Sequence, residues 1–218
     1  MTSCKQNYLK IVDNVGSMLP TFESWKKHNF RCSNGDCYNR ISVQYNKYSG
    51  IDAASCAIVV AAGFHSIHKF LKKLPGDFCA PLRREPVIMV TNIGKLFSPS
   101  SYATWEILPE TDTSDLANEI VENITKYAFP FFERYSNVHT VLRDLEEDVN
   151  YNIGYNDIFC IAGIYYLKGD VESAIQRVKY RLEQYKAEYA DSEIPIDLQR
   201  LQNLQLFLDY LTSKRAND

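Results

Sequence analysis

The run CAIVVAAGF, Cys56 to Phe64, is apolar throughout and does not alternate. That is the pattern of a central strand covered on both faces, where neighbouring layers bury every side chain. It falls far short of the roughly 20 residues that a membrane-spanning helix requires. Working outward, Cys37, Ile41, Val43 and Tyr45 share one side of an alternating stretch, with Arg40, Ser42 and Gln44 on the other. This spacing predicts a half-buried strand. The small polar loop Ser49 to Ser55 joins the two. Beyond the central run, Val87 to Ile93 and Tyr102 to Ile107 predict two more strands. They are punctuated by Pro75-Gly76 and by Ser98-Pro99-Ser100-Ser101, both turn-rich.

Helical periodicity flanks these strands. From Tyr8, apolar residues recur at Val12, Val15, Leu19, Phe22 and Trp25, predicting a helix that reaches about Lys27 and is kinked or divided at Pro20. Thr111 to Asp115 offers capping side chains ahead of Leu116, Ile120, Ile124, Tyr127 and Phe131, with Pro130 disturbing the end. A shorter helix follows over Val138 to Leu145. The fold class is therefore α+β, a mostly antiparallel sheet of about four strands covered by helices. From Asp157 onward the strand signals stop. Ile158, Ile161, Ala162, Tyr165 and Tyr166 mark one helix, closed at Lys168-Gly169-Asp170. Val171 to Tyr189 mark a second, and Leu198, Leu201, Leu204, Phe207, Leu208 and Leu211 a third after Pro195. This gives a domain over 1–150 and a helical appendage, a hairpin plus one helix, packed on it over 151–218.

Composition narrows the function. With 218 residues, 45% of them hydrophobic, the chain can bury a full core. Its 24 basic and 27 acidic side chains leave a net charge of −3 and no basic stripe, which argues against a nucleic-acid binder. No apolar leader opens the sequence and no membrane segment interrupts it, so the expected location is cytoplasmic. In that compartment the six cysteines read as reduced thiols, and the sequon at Asn123 carries no glycan.

The segment RCSNGDCYNR, Arg31 to Arg40, raises the question of metal. Cys32 and Cys37 stand at zinc-ligand spacing, and His65 with His68 are the candidates for a second half-site. Asn34-Gly35 is a strong hairpin turn, however, and the thiols are read as flanking it, with no metal or other cofactor implied. Asp148, Asn150 and Asn152 mimic the start of a calcium loop, but Ile153 replaces the turn glycine and Phe159 the bidentate glutamate. No nucleophile elbow, Gly-rich phosphate loop or His-Glu-x-x-His is present. The binding candidates that remain are few. Arg83 and Arg84 could fork onto an anion. The acidic stretch Asp144, Glu146, Glu147 and Asp148 could steer a basic partner. Tyr185 and Tyr189 belong to an unusually tyrosine-rich chain, 15 in all, and tyrosine suits interfaces.

Two resemblances bear on this. Ala162, Tyr165, Gly169 and Ala174 place the helical pair close to one tetratricopeptide unit, although Arg181 stands where a second small residue is expected. FESWKKHNFRCSNGDCYNR, ISVQYNKYSG and YAFPFFERYSNV resemble a bacterial family of domains of unknown function, the one numbered 4304, over about residues 5–150, with Asn46 in place of an expected serine. That resemblance implies an α/β fold with no established activity and a likeness to proposed immunity proteins. The expectation is thus a non-enzymatic protein-binding module of immunity type that occludes a toxin, with a protein partner and neither nucleic acid nor membrane. The alternatives are an enzyme or metal protein built on the Cys/His set or the arginine loop, and an adaptor docking a peptide on its helical tail.

Overall fold

A computed structural model describes residues 3–74, 87–147, 157–189 and 192–215. In chain order its elements are α1 (Cys4–Ser17), β1 (Glu23–Lys26), β2 (Asn29–Asn34), β3 (Cys37–Lys47), β4 (Ala54–Phe64) and α2 (His65–Lys73). Then come β5 (Val87–Asn92), the single turn α3 (Gly94–Phe97), β6 (Thr104–Ile107), α4 (Thr113–Asn123), a π-helical turn (Ile124–Ala128) and α5 (Phe129–Arg134). The remaining helices are α6 (Val138–Glu146), α7 (Asp157–Leu167), α8 (Val171–Glu188) and α9 (Pro195–Arg215). The chain divides into two compact units, Met1–Gly63 with Met89–Asn137, and Phe64–Ile88 with Val138–Asp218. The fold is α+β.

The first unit is built on the sheet. Its strand order is β1-β2-β3-β4-β5, with β6 also paired to β4. The pairs β1–β2, β2–β3 and β4–β6 are antiparallel. β4 contains the apolar run Cys56 to Phe64, and all of the strand but Val59 is buried. β3 to β6 correspond to the four expected strands; β1 and β2 widen the sheet.

These two extra strands replace the end of the expected first helix. α1 stops at Ser17 rather than near Lys27; Pro20 has no N–H to continue the ladder, and a proline disfavours helical torsions at the residue before it. Leu19 and Phe22 stay buried, as the periodicity required, but on irregular backbone. α1 starts with a capping box, Ser3 accepting from the Gln6 N–H while the Gln6 side chain accepts from the Ser3 N–H. Its body lies on β2 and β3. The Tyr8 hydroxyl donates to the Val43 carbonyl at 2.7 Å, and Gly16 leaves room for the Phe30 ring, which a Cβ would meet at 2.6 Å.

β2 and β3 form the hairpin announced by the Asn-Gly pair, with the register shifted by one residue. Asn34 pairs with Cys37, so Gly35 and Asp36 make the turn. Gly35 has φ +59° and Asp36 has none above zero, which fits a II′ turn with glycine first. β3 is not half-buried. Arg40 and Ser42, on its supposed outer side, are buried as well. Ser42 hydrogen-bonds Asn29 at 2.5 Å, and long arginine stems cover apolar surface readily.

Asp112 caps α4 as expected, accepting from Ser114 and Asp115. The disturbance blamed on Pro130 begins upstream of it. The Phe129 N–H reaches back to the Ile124 carbonyl, an i to i+5 bond, and this wider turn lets Pro130 enter as the second residue of α5. Phe22 packs on Phe129 and Phe132 at centroid distances of 6.3 and 5.8 Å.

The second unit is helical. α7 ends at Gly169, φ +82°, where the Gly169 and Asp170 N–H groups donate to Tyr166 and Tyr165. This is the paired bonding of a Schellman cap. Asp170 then caps α8 through the Ser173 N–H. Phe70 of α2 meets Tyr166, Phe207 and Tyr210, and Phe159 meets Phe207 at 5.2 Å, so α2, α7 and α9 share one aromatic core. No described helix is long and apolar enough to cross a membrane.

Candidate functional site

The residues expected to carry function are scattered. Arg83, Arg84 and Asp148 lie outside the described residues, as do Asn150, Asn152 and the Pro75-Gly76 turn. Cys32 and Cys37 sit on β2 and β3, and the Cys37 thiol is buried toward the Tyr135 carbonyl at 3.9 Å. Burial pushes that thiol up to about 11, so it carries little thiolate at neutral pH. His65 and His68 lie on α2. Among the described residues no group of three or more His, Cys, Asp or Glu is placed to hold a metal ion.

The acidic stretch is only partly a surface. Asp144 is fully buried, and both Nε and Nη2 of Arg143 bond its Oδ1 at 3.1 and 3.0 Å. Glu146 accepts from Arg177 at 2.6 Å and from the Tyr165 hydroxyl at 2.9 Å. Glu147 is exposed. Helical spacing put the first two on α6, but only packing decided that one turns inward and the other is tied to α7 and α8. A shallow polar groove of about 280 Å³ opens beside this cluster, lined by Tyr165, Ser173, Gln176, Arg177 and Tyr180. Tyr185 is buried and packs tilted against Tyr189 at 5.1 Å, whereas Tyr180 is 64% exposed.

The first turn of α9 inverts the pattern read from sequence. Leu198, expected to share a buried face with Leu204 and Phe207, is 51% exposed, and Ile194 and Ile196 are 58% and 53% exposed. Asp197 is buried in their place. Its carboxylate accepts from Ser192 Oγ at 2.9 Å and from Arg200 at 3.5 Å. A negative charge is favoured in the first turn of a helix, and the Asp197 and Leu198 N–H groups already bond the Ile194 carbonyl. Satisfying the acid turns three large aliphatic side chains to solvent.

In the first unit a cavity of about 560 Å³ lies between the end of α1 and the β1–β2 hairpin. Leu9, Val12, Phe22 and Phe30 give it apolar walls, while Asp13, Lys27 and His28 supply charge and polarity. His28, in the hairpin turn, has φ +65° and is the one non-glycine among the described residues at positive φ. Its ring packs edge-on against Tyr8 at 4.9 Å and its carbonyl accepts from the Val43 N–H. Burial, then Lys27, hold the imidazole below its ordinary value. Nothing in the local pattern marked this turn, since Lys27-His28 lacks the usual Gly or Asn.

An antiparallel sheet with helices laid on it places the chain among α+β domains. It belongs to the family described as Domain of unknown function (DUF4304), whose model matches residues 22–134. The match spans β1 to α5 and leaves α1 and the helices after α5 outside it. Neither a curated protein nor a solved structure matches the chain.

Proposed function

We propose that this protein is a non-enzymatic module that binds another protein, of the immunity type in which a toxin is neutralised by occlusion. The observation that carries this reading is the turned-out start of α9. Three aliphatic side chains within five residues are each more than half exposed, while the acid between them is buried. Exposed apolar clusters of this kind mark interaction surfaces, because they gain most when a partner removes them from water. Tyr180 and the Tyr165–Arg177 groove add the aromatic and guanidinium groups in which protein interfaces are rich.

The test compares the full chain with an Ile194→Ser, Ile196→Ser, Leu198→Ser triple variant as baits in the native lysate, with thermal unfolding of both as the folding control. A stoichiometric protein captured by the first and lost by the second, at unchanged stability, supports the reading. If that partner is a toxin, its activity should fall on titration with the native chain and not with the variant. Equal capture by both baits, or by neither, counts against α9 as the binding surface.

A further inference from the structure

The cavity between α1 and the β1–β2 hairpin has a chemistry of its own, independent of the α9 surface. α1 ends there, and the C-terminal end of a helix carries partial negative charge that is normally met by a basic residue in the last turn. α1 has none in its last turn. Asp13, one turn from that end, adds a full negative charge, and it forms no ion pair among the described residues. The walls beside it are aromatic and aliphatic, Phe22 and Phe30 with Leu9 and Val12. Gly16 keeps the Phe30 ring close to the helix, and the strained His28 turn forms part of the pocket's lining. Strained non-glycine turns are retained where surrounding structure holds them, often around a ligand.

We propose that this pocket receives an arginine side chain from a bound polypeptide. The aliphatic stem would lie along the exposed Leu9 and what Phe22 and Phe30 leave uncovered, and the guanidinium would face Asp13 and the end of α1. Arginine fits better than lysine, because its weakly hydrated planar fork can bond the Asp13 carboxylate in two places at once. The same walls bring one opposing charge, Lys27, whose ammonium competes for the acidic end. The imidazole of His28 is the other titratable group on the pocket, and it stays neutral near pH 7.

The probe is Nα-acetyl-arginine amide titrated into the full isotope-labelled chain, with the neutral isostere Nα-acetyl-citrulline amide as control. Amide shifts of Gly16, His28 and Phe30 report on the pocket. Saturable shifts with arginine, weakened about tenfold with citrulline and about tenfold by Asp13→Asn, are expected, the loss of one charge-assisted hydrogen bond having that size. Lys27→Ala should tighten binding. Asp13 is exposed, so its variant should melt as the native chain does. Equal shifts with citrulline, insensitivity to Asp13→Asn, or no saturable shift at all would overturn the assignment. None of these outcomes depends on whether α9 binds a partner.

Discussion

The Asn92 carboxamide pairs with the backbone of Ala103 in both directions. Its Oδ1 accepts from the Ala103 N–H at 2.9 Å and its Nδ2 donates to the Ala103 carbonyl at 3.2 Å. The same Oδ1 takes the Gly94 N–H at 2.8 Å. One side chain thus does for the β5–β6 connection what a strand partner would do. Removing it leaves two N–H groups competing for water in a part-buried site, so Asn92→Ala should cost about 2 kcal/mol. Chemical denaturation measures this, and a loss within experimental scatter would show that water replaces the amide freely.

His28 makes two separable predictions. His28→Gly and His28→Val both lose the ring contact with Tyr8, but only valine must hold a β-branched side chain at φ +65°. The valine variant should therefore be less stable than the glycine variant by about 1–2 kcal/mol. Equal unfolding midpoints would mean that the turn relaxes.

The second concerns acid. The folded imidazole sits below its ordinary value of 6.5, first through burial. A depressed base contributes stability that is complete above 6.5 and shrinks as pH falls through the folded value, since the unfolded chain takes up the proton first. Urea midpoints from pH 7.5 to 5 should fall more steeply for the native chain than for His28→Gly.

Alkali should act through buried acids. Burial pushes the Cys56 thiol up to about 12 and Cys37 to about 11, from an ordinary 9.0. Both raise the folded value above the unfolded one, so stability is undiminished below pH 9.0 and declines as the unfolded chain ionises above it. Cys56→Ala should lower stability below pH 9 and flatten the decline between pH 9 and 11. An identical slope in the variant would assign the alkaline loss to other groups.

The inverted start of α9 can be checked residue by residue. Asp197→Ala should cost about 1–2 kcal/mol by removing a buried, hydrogen-bonded acid at a helix N-terminus. Ile196→Ser, at an exposed position, should stay within about 0.5 kcal/mol of the native chain. The opposite ranking, read by thermal unfolding, would place Ile196 inside and Asp197 out.

What sequence alone determined was local. The β4 run, the glycine turn at Gly35, the caps at Asp112 and Asp170 and the periods of α4, α7 and α8 all follow from forces acting over a few residues. Propensity, capping and alternation act there regardless of what lies elsewhere in the chain. Tertiary structure decided where those patterns compete. Leu19 and Phe22 needed burial, and the chain supplied it through a broken helix and a strand on β2, a choice made by Pro20 and by a partner strand that periodicity cannot see. Arg40 and Asp144 are charged yet buried, and Leu198 is apolar yet exposed. In each case the neighbouring side chains, not the residue's own polarity, set the balance between desolvation and hydrogen bonding. The pocket at His28 arises the same way, from the end of a helix and a turn more than ten residues apart.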